Sequence, residues 1–123
     1  DVSGSMDGIK GPLYGAVLDC QALVHPKVHL FSTQVAEVTP AQMRAGVCRS
    51  TGGTDIQCVT QHMATHRVRR AVVLTDGHVG QAGPAGAQWL KAARLGVGYL
   101  GDFIDERPLA PYADASVRLP VHA

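Results

Sequence analysis

The fold follows from one stretch, Ala71-Val72-Val73-Leu74-Thr75-Asp76-Gly77, in which an apolar run passes directly into a polar turn. A short run that is wholly apolar is typical of a parallel strand buried on both faces. An aspartate that follows such a strand lies at its carboxyl end, where open α/β sheets bind their ligands. We therefore expect Ala71–Leu74 to be a buried strand and Asp76 to lie at the ligand-binding edge. The alternative is an ordinary Asp-Gly turn.

The segments on either side of this strand alternate between strand and helix patterns. Strands are predicted at Lys27–Ser32 and Gln34–Val38, which form a hairpin, and at Val97–Leu100 and Ser116–Leu119. Helices are predicted at Gly11–Val24, Thr39–Ala45, Asp55–His66 and Pro84–Leu95, where Pro26 ends the first helix and Gly96 closes the last. The alternation predicts one α/β domain over residues 1–123, with a Rossmann-like, doubly wound, mainly parallel sheet flanked by helices.

Composition excludes several classes of protein. Apolar residues make up 46% and charged residues 17% of the 123, which suits a chain with a core and not a disordered one. The net charge of +1 makes nucleic acid or an acidic membrane an unexpected partner. No apolar run approaches the roughly 20 residues of a membrane span. The cysteines Cys20, Cys48 and Cys58 lack metal-ligand spacing and are interpreted as buried thiols of a reducing, cytoplasmic compartment.

Two further polar loops carry candidate ligands. The first, Asp1-Val2-Ser3-Gly4-Ser5, has oxygen-bearing side chains at alternate positions, and an extended loop turns alternate side chains to one side. Such hard oxygen donors suit Mg²⁺ or Mn²⁺. The second, Gly52-Gly53-Thr54-Asp55, places Thr54 at the mouth of a helix after a tight turn. Taken alone, each loop is equally well explained as a turn that caps the following helix.

The three loops together, in this order, resemble the metal-ion-dependent adhesion site of the von Willebrand factor A (VWA) family. Strand Val28–Ser32 is similar to that family's second strand, and the resemblance extends over roughly residues 1–100. It implies a VWA fold in which five residues bind Mg²⁺ or Mn²⁺, namely Asp1, Ser3, Ser5, Thr54 and Asp76. It also implies that one metal position stays open for a carboxylate of a partner protein.

The function implied by this resemblance is protein binding and not catalysis. The Thr-Gly-Gly-Thr-Asp form and the absence of secretory signals look more like intracellular bacterial VWA proteins than adhesion receptors. Such proteins work in larger assemblies, including those with ATPases. The alternative from the residues alone is a Mg²⁺-dependent phosphoryl hydrolase, in which the same oxygens hold a substrate phosphate. Against it, Asp1-Val2-Ser3 lacks the second aspartate expected beside an aspartyl nucleophile.

The sequence departs from the family pattern at its first residue. In the family a central strand runs into the first aspartate, whereas here nothing precedes Asp1. We therefore expect an N-terminally truncated domain, with an unfilled position between Val28–Phe31 and Ala71–Leu74. If Asp1 is the terminus, an α-amine with a pKa near 8 would place a positive charge beside the metal.

Two other motifs have the spacing of binding sites. Gly96-Val97-Gly98-Tyr99-Leu100-Gly101 has dinucleotide-loop spacing, but a helix precedes it and no helix follows, so it is interpreted as a strand. His62 and His66 lie four residues apart on one helix face, which could bind Zn²⁺. Because the sequence shows no third ligand, they are interpreted as surface histidines.

Overall fold

The computed structural model describes residues 1–23 and 27–120. A 3₁₀ helix, Gly4–Ile9, leads into the first of four α-helices, which are α1 Lys10–Asp19, α2 Pro40–Arg44, α3 Ile56–Thr65 and α4 Gly83–Ala92. The five strands are β1 Val28–Phe31, β2 Val35–Val38, β3 Arg70–Thr75, β4 Arg94–Tyr99 and β5 Ala115–Arg118. The predicted order of helices and strands is confirmed. The first helix ends at Asp19 and not at Val24 as predicted, because Cys20 has left the helical backbone angles and residues 20–23 form turns. Val24 and Pro26 themselves lie outside the described residues.

The strands form two sheets. Strands β3, β4 and β5 are parallel and adjacent in that order, with Thr75 opposite Tyr99 and Tyr99 opposite Arg118. Strands β1 and β2 form the predicted antiparallel hairpin, in which Phe31 pairs with Val35. A parallel sheet in which helix α4 connects β3 to β4, with helices packed against it, confirms the α/β class.

The first two residues of the chain lie between the two sheets. The backbone nitrogen of Asp1 donates a hydrogen bond to the Leu74 carbonyl of β3 at 2.9 Å. The backbone N–H of Val2 donates to the Phe31 carbonyl of β1 at 2.8 Å. Because Val2 is wholly buried, this short segment also forms part of the core.

The core consists of two hydrophobic clusters. One packs alternate residues of the parallel sheet, such as Val73 and Val97, against Ile56 and Met63 of α3 and Leu90 of α4. The other gathers Val2, Met6, Leu13, Leu30, Val38 and Met43, and Leu74 packs against it. Since neighbouring residues of a strand point to opposite faces, Val73 and Leu74 place the clusters on opposite sides of β3.

Two predicted elements have different bounds in the structure. The segment predicted as a loop, Asp1–Gly8, includes most of the 3₁₀ helix Gly4–Ile9. The last helix ends at Ala92, because Ala93 has extended backbone angles, and Leu95 and Gly96 belong to β4. Leu95 is buried in alternation with Val97 and Tyr99, so the period of two expected of a strand prevails there over the helical spacing.

Two predictions of burial are wrong. Strand β3 is not buried on both faces, since Val72 is 71% exposed. On that face the glycines Gly96 and Gly98 of β4 have no side chains, which leaves an apolar groove bordered by Val72 and Val117. The cysteines are not buried thiols, because Cys20 follows the end of α1 and Cys48 lies in a surface loop, both exposed, while Cys58 is only half-buried. Among the described residues no helix is long and apolar enough to cross a bilayer.

The assignment of a buried and an exposed face to β3 can be tested by changing valine to alanine at each of two neighbouring positions. Val73→Ala should lower the free energy of unfolding by about 2 kcal/mol, because Val73 is 6% exposed and its truncation leaves a cavity. Val72→Ala removes the same atoms from an exposed site and should change stability by less than about 0.5 kcal/mol. Urea unfolding followed by Trp89 fluorescence measures both. Equal losses would contradict the assignment of the two faces.

Candidate metal centre

The first loop folds around the carboxylate of Asp1. One of its oxygens accepts a hydrogen bond from the Ser3 backbone N–H at 2.9 Å, and the other accepts from the Thr75 hydroxyl at 2.6 Å. The hydroxyls of Ser3 and Ser5 lie 3.2 Å apart. Asp1 and Ser3 are buried, at 7% and 2% exposure. The first loop is thus tied to the carboxyl end of β3 through Asp1 and Thr75, with the Ser3 and Ser5 hydroxyls in contact beside it.

The third loop turns sharply directly after β3. Gly77 has a φ of +89°, and a Cβ atom there would lie 1.8 Å from the Asp105 carbonyl oxygen, so only glycine fits. The Thr75 hydroxyl accepts from the Gly77 N–H at 3.0 Å, and the Asp76 carboxylate accepts from the His78 N–H at 3.1 Å. Asp76 is 4% exposed. The turn thus fixes a second buried carboxylate beside the first loop.

Backbone hydrogen bonds join the second loop to both of the others. The Gly4 N–H donates to the Gly52 carbonyl at 2.8 Å, which joins the first and second loops. The Ile56 N–H donates to the Val79 carbonyl at 2.9 Å, which joins the second and third. The three loops that carry the predicted ligands therefore lie together at one end of the sheet.

Thr54 is the exception in this network of satisfied groups. Its hydroxyl oxygen is buried and has no hydrogen-bond partner, whereas the neighbouring Asp55 caps α3 through its side chain. Leaving a buried hydroxyl unpaired costs roughly 1–3 kcal/mol, so such a group calls for a specific explanation. A buried hydroxyl oxygen without a donor, on a loop that backbone hydrogen bonds join to the other two, fits a hard cation such as Mg²⁺ or Mn²⁺.

A cleft of about 500 Å³ opens beside these residues. Ser5 and Asp76 both line it, so the first and third loops share one surface. His78 and Phe103 lie on the same cleft, where a ring nitrogen of His78 is 2.8 Å from the Phe103 carbonyl oxygen. Phe103 itself is 84% exposed. The cleft therefore combines acidic and hydroxyl oxygens with one exposed aromatic side chain.

The electrostatics of the centre leave its negative charge unbalanced. None of the ion pairs in the described part of the chain involves Asp1 or Asp76. Burial lowers the pKa of the Asp1 amine to about 5. Two buried carboxylates without a protein counter-charge are costly unless a cation joins them.

Sequence reasoning missed the residues that orient the ligands. Thr75 fixes the Asp1 carboxylate from 74 residues away, and Ser32 holds the second loop by accepting from the Thr51 N–H at 3.0 Å. The position of Thr75 between an apolar strand and Asp76 was a usable signal. Ser32 gave no such signal in the sequence, because its hydrogen bond with Thr51 depends on the tertiary packing of two segments that are distant in the chain.

Comparison with models of known protein families and with curated protein sequences finds no match. The structure brings together three loops that carry oxygen-bearing side chains, which are hard donors.

The requirement for glycine at position 77 can be tested by comparing Gly77→Ala with the same substitution at Gly80. Gly77→Ala should lower the free energy of unfolding by more than about 3 kcal/mol, because the strained φ and the clash with Asp105 both oppose it. Gly80→Ala has a similar φ of +75° but open space around the new methyl, so it should cost about 1 kcal/mol. Denaturant unfolding of the two variants gives the comparison. Gly77→Ala at no greater cost than Gly80→Ala would refute the close packing.

Proposed function

We propose that this chain is a metal-dependent protein-binding module of the VWA type. Its metal ion, Mg²⁺ or Mn²⁺, would be held by Asp1, Ser3, Ser5, Thr54 and Asp76 and would bind an Asp or Glu side chain of a partner protein. The proposal includes the doubly wound fold, a cytoplasmic bacterial setting, and a place in a larger assembly such as one with an ATPase.

The unpartnered Thr54 hydroxyl is the observation that carries this proposal. A polar turn that only caps a helix would satisfy its own side chains, as Asp55 does by accepting from the Gln57 N–H at 2.9 Å. The Thr54 hydroxyl is instead buried without a hydrogen-bond partner, which lowers the stability of the fold. A bound cation would offset that cost, because it accepts the lone pair that no donor in the chain reaches.

The charge of the donor set favours an external carboxylate as the ligand. Asp1 and Asp76 supply two negative charges, which neutralise a divalent ion, while the hydroxyls of Ser3, Ser5 and Thr54 add none. When bound, the ion supplies an electrophilic position for an oxygen from outside the chain, since Mg²⁺ prefers six oxygen ligands. Hydrogen bonds from Ser3, Thr75 and His78 hold the carboxylates in place before any partner arrives.

Phe103 extends the proposed binding surface beyond the ion. Phe103 lines the cleft and is 84% exposed, so its ring is accessible to a partner segment. Aromatic side chains beside a polar anchor are frequent energetic centres of protein interfaces. The partner segment would therefore carry an acidic residue next to an apolar one.

The hydrolase alternative requires a base beside the cleft, and His78 is the histidine on the third loop. Its Nε2 lies 2.8 Å from the Phe103 carbonyl oxygen, which can only accept a hydrogen bond, so a neutral His78 ring keeps Nδ1 as the nitrogen that could take up a proton. Magnesium-dependent release of inorganic phosphate from an aryl phosphate, lost in Asp76→Asn, would favour the hydrolase.

Substituting Thr54 should separate stability from metal binding. Thr54→Val should raise the free energy of unfolding of the metal-free chain by about 1 kcal/mol, because it removes a buried hydroxyl without a partner. The same change should weaken Mg²⁺ and Mn²⁺ binding, since it removes a ligand. Urea unfolding and calorimetric titration measure the two effects.

Thr60→Val is the matched control for Thr54→Val. Thr60 is also buried, but its hydroxyl donates to the Gln57 carbonyl at 3.1 Å. Its replacement should not raise stability and should leave metal affinity unchanged. A loss of stability in Thr54→Val with unchanged metal affinity would exclude Thr54 as a ligand.

The binding function can be tested by selection from a displayed library of random peptides. Selection on the chain in Mg²⁺ should enrich an Asp or Glu beside an apolar residue, and chelation or Asp76→Asn should abolish binding. Asp76→Asn keeps an oxygen that can accept from the His78 N–H, so the fold should remain. Enriched peptides whose affinity survives both chelation and an Asp-to-Asn or Glu-to-Gln change would refute a metal-bridged interaction.

A further inference from the structure

A second group of potential metal ligands lies on the hairpin and α3. His29 of β1 and Glu37 of β2 are paired across the hairpin, and the His29 ring nitrogen is 3.4 Å from a carboxylate oxygen of Glu37. His62 of α3 faces them, with its ring centre 4.8 Å from that of His29. One potential ligand atom from each of the three residues lies within 4.8 Å of the other two.

The fold explains why these three residues meet. Antiparallel pairing places His29 and Glu37 directly opposite, on the same face of the hairpin. Helix α3 packs near β2 and brings His62 to that face from 25 residues further along the chain. The third ligand that the sequence did not show for His62 is therefore supplied by the hairpin.

We propose that His29, Glu37 and His62 form a binding site for a divalent transition-metal ion, with Zn²⁺ as the cognate ion. Imidazole nitrogen is a donor that Zn²⁺ accepts readily and that Mg²⁺ avoids, so this site and the oxygen-only centre bind different metals. Two histidines and a glutamate form a donor set that zinc proteins use. Tetrahedral zinc holds its ligand atoms about 3.3 Å apart, so rotation of these partly exposed side chains suffices to bind it.

The charges around the group are compatible with a cation. Lys27, followed by His29, holds the pKa of Glu37 below its usual value, so the carboxylate is ionised at neutral pH. Burial, with the nearby rings of His29 and His66, lowers the pKa of His62, which favours the neutral, metal-binding imidazole. The Lys27 ammonium, 3.5 Å from Glu37, competes for the carboxylate but is 59% exposed and can turn away.

A fourth ligand can come from within the chain or from outside it. The His66 ring lies 4.2 Å from the His62 ring, at the residue that follows the last residue of α3. Water or a partner side chain can also reach the group, since His29 and Glu37 are exposed. Binding would fasten the β1–β2 hairpin to α3, so zinc should raise the midpoint of thermal unfolding.

The test is a titration of the full chain with ZnCl₂ alone, followed through the histidine ring signals by NMR and through heat by calorimetry. One equivalent of Zn²⁺ should shift the ring signals of His29 and His62. Glu37→Gln and His62→Gln should each weaken zinc binding by about tenfold or more, since even losing a residue that only orients a ligand costs that much. Asp76→Asn should leave zinc affinity unchanged, which separates this site from the oxygen centre.

Cobalt distinguishes histidine from thiol binding. Co²⁺ bound by His29, Glu37 and His62 should show visible absorption without a thiolate charge-transfer band. A thiolate band would assign the metal to Cys20, Cys48 or Cys58 and overturn the proposal. So would zinc affinity that persists in the Glu37→Gln, His62→Gln double variant, provided that the variant unfolds cooperatively like the unsubstituted chain.

Discussion

The meeting of the hairpin with the parallel sheet depends on the backbone of Asp1 and Val2. The Asp1 nitrogen donates a hydrogen bond to a carbonyl of β3, and the Val2 N–H donates to a carbonyl of β1. These two hydrogen bonds connect the two sheets. The same residues begin the first loop, whose side chains converge with Thr75 and Asp76. Backbone support and ligand placement therefore share one segment, and a displacement of Val2 would disturb both the core and the centre.

The two candidate centres differ in the chemistry of their donors and in their place in the fold. The oxygen centre lies on loops, is buried, and is held by hydrogen bonds from backbone and hydroxyl groups. The histidine group lies on regular elements and is partly exposed. Under the two proposals the oxygen centre would favour Mg²⁺ or Mn²⁺ and the histidine group Zn²⁺, because carboxylate and hydroxyl oxygens suit the first ions and imidazole suits the second. Helix α3 connects them, since Thr54 precedes it and His62 lies on it.

Much of the fold could be predicted from local patterns, because hydrophobic period and turn residues act within a few positions. The hairpin, the capped helix that begins at Pro40 and the strand before Asp76 are of this kind. Burial of β3 could not be predicted, because an apolar run does not show whether anything covers its second face. The meeting of His29 with His62, and that of Thr75 with Asp1, depend on tertiary packing, which leaves no periodic trace in the sequence.

The partly uncovered second face of the parallel sheet, exposed at Val72 and Val117, affects how stability changes with temperature. Val72 and Val117 stay in contact with water in the folded chain, and Gly96 and Gly98 add no side chains to shield. Unfolding therefore exposes less new apolar surface than it would if both faces were packed, and the heat-capacity increment falls in proportion. A smaller increment flattens the stability curve. The free energy of unfolding of this chain should thus vary less steeply around its maximum than that of a fully covered α/β domain of equal length.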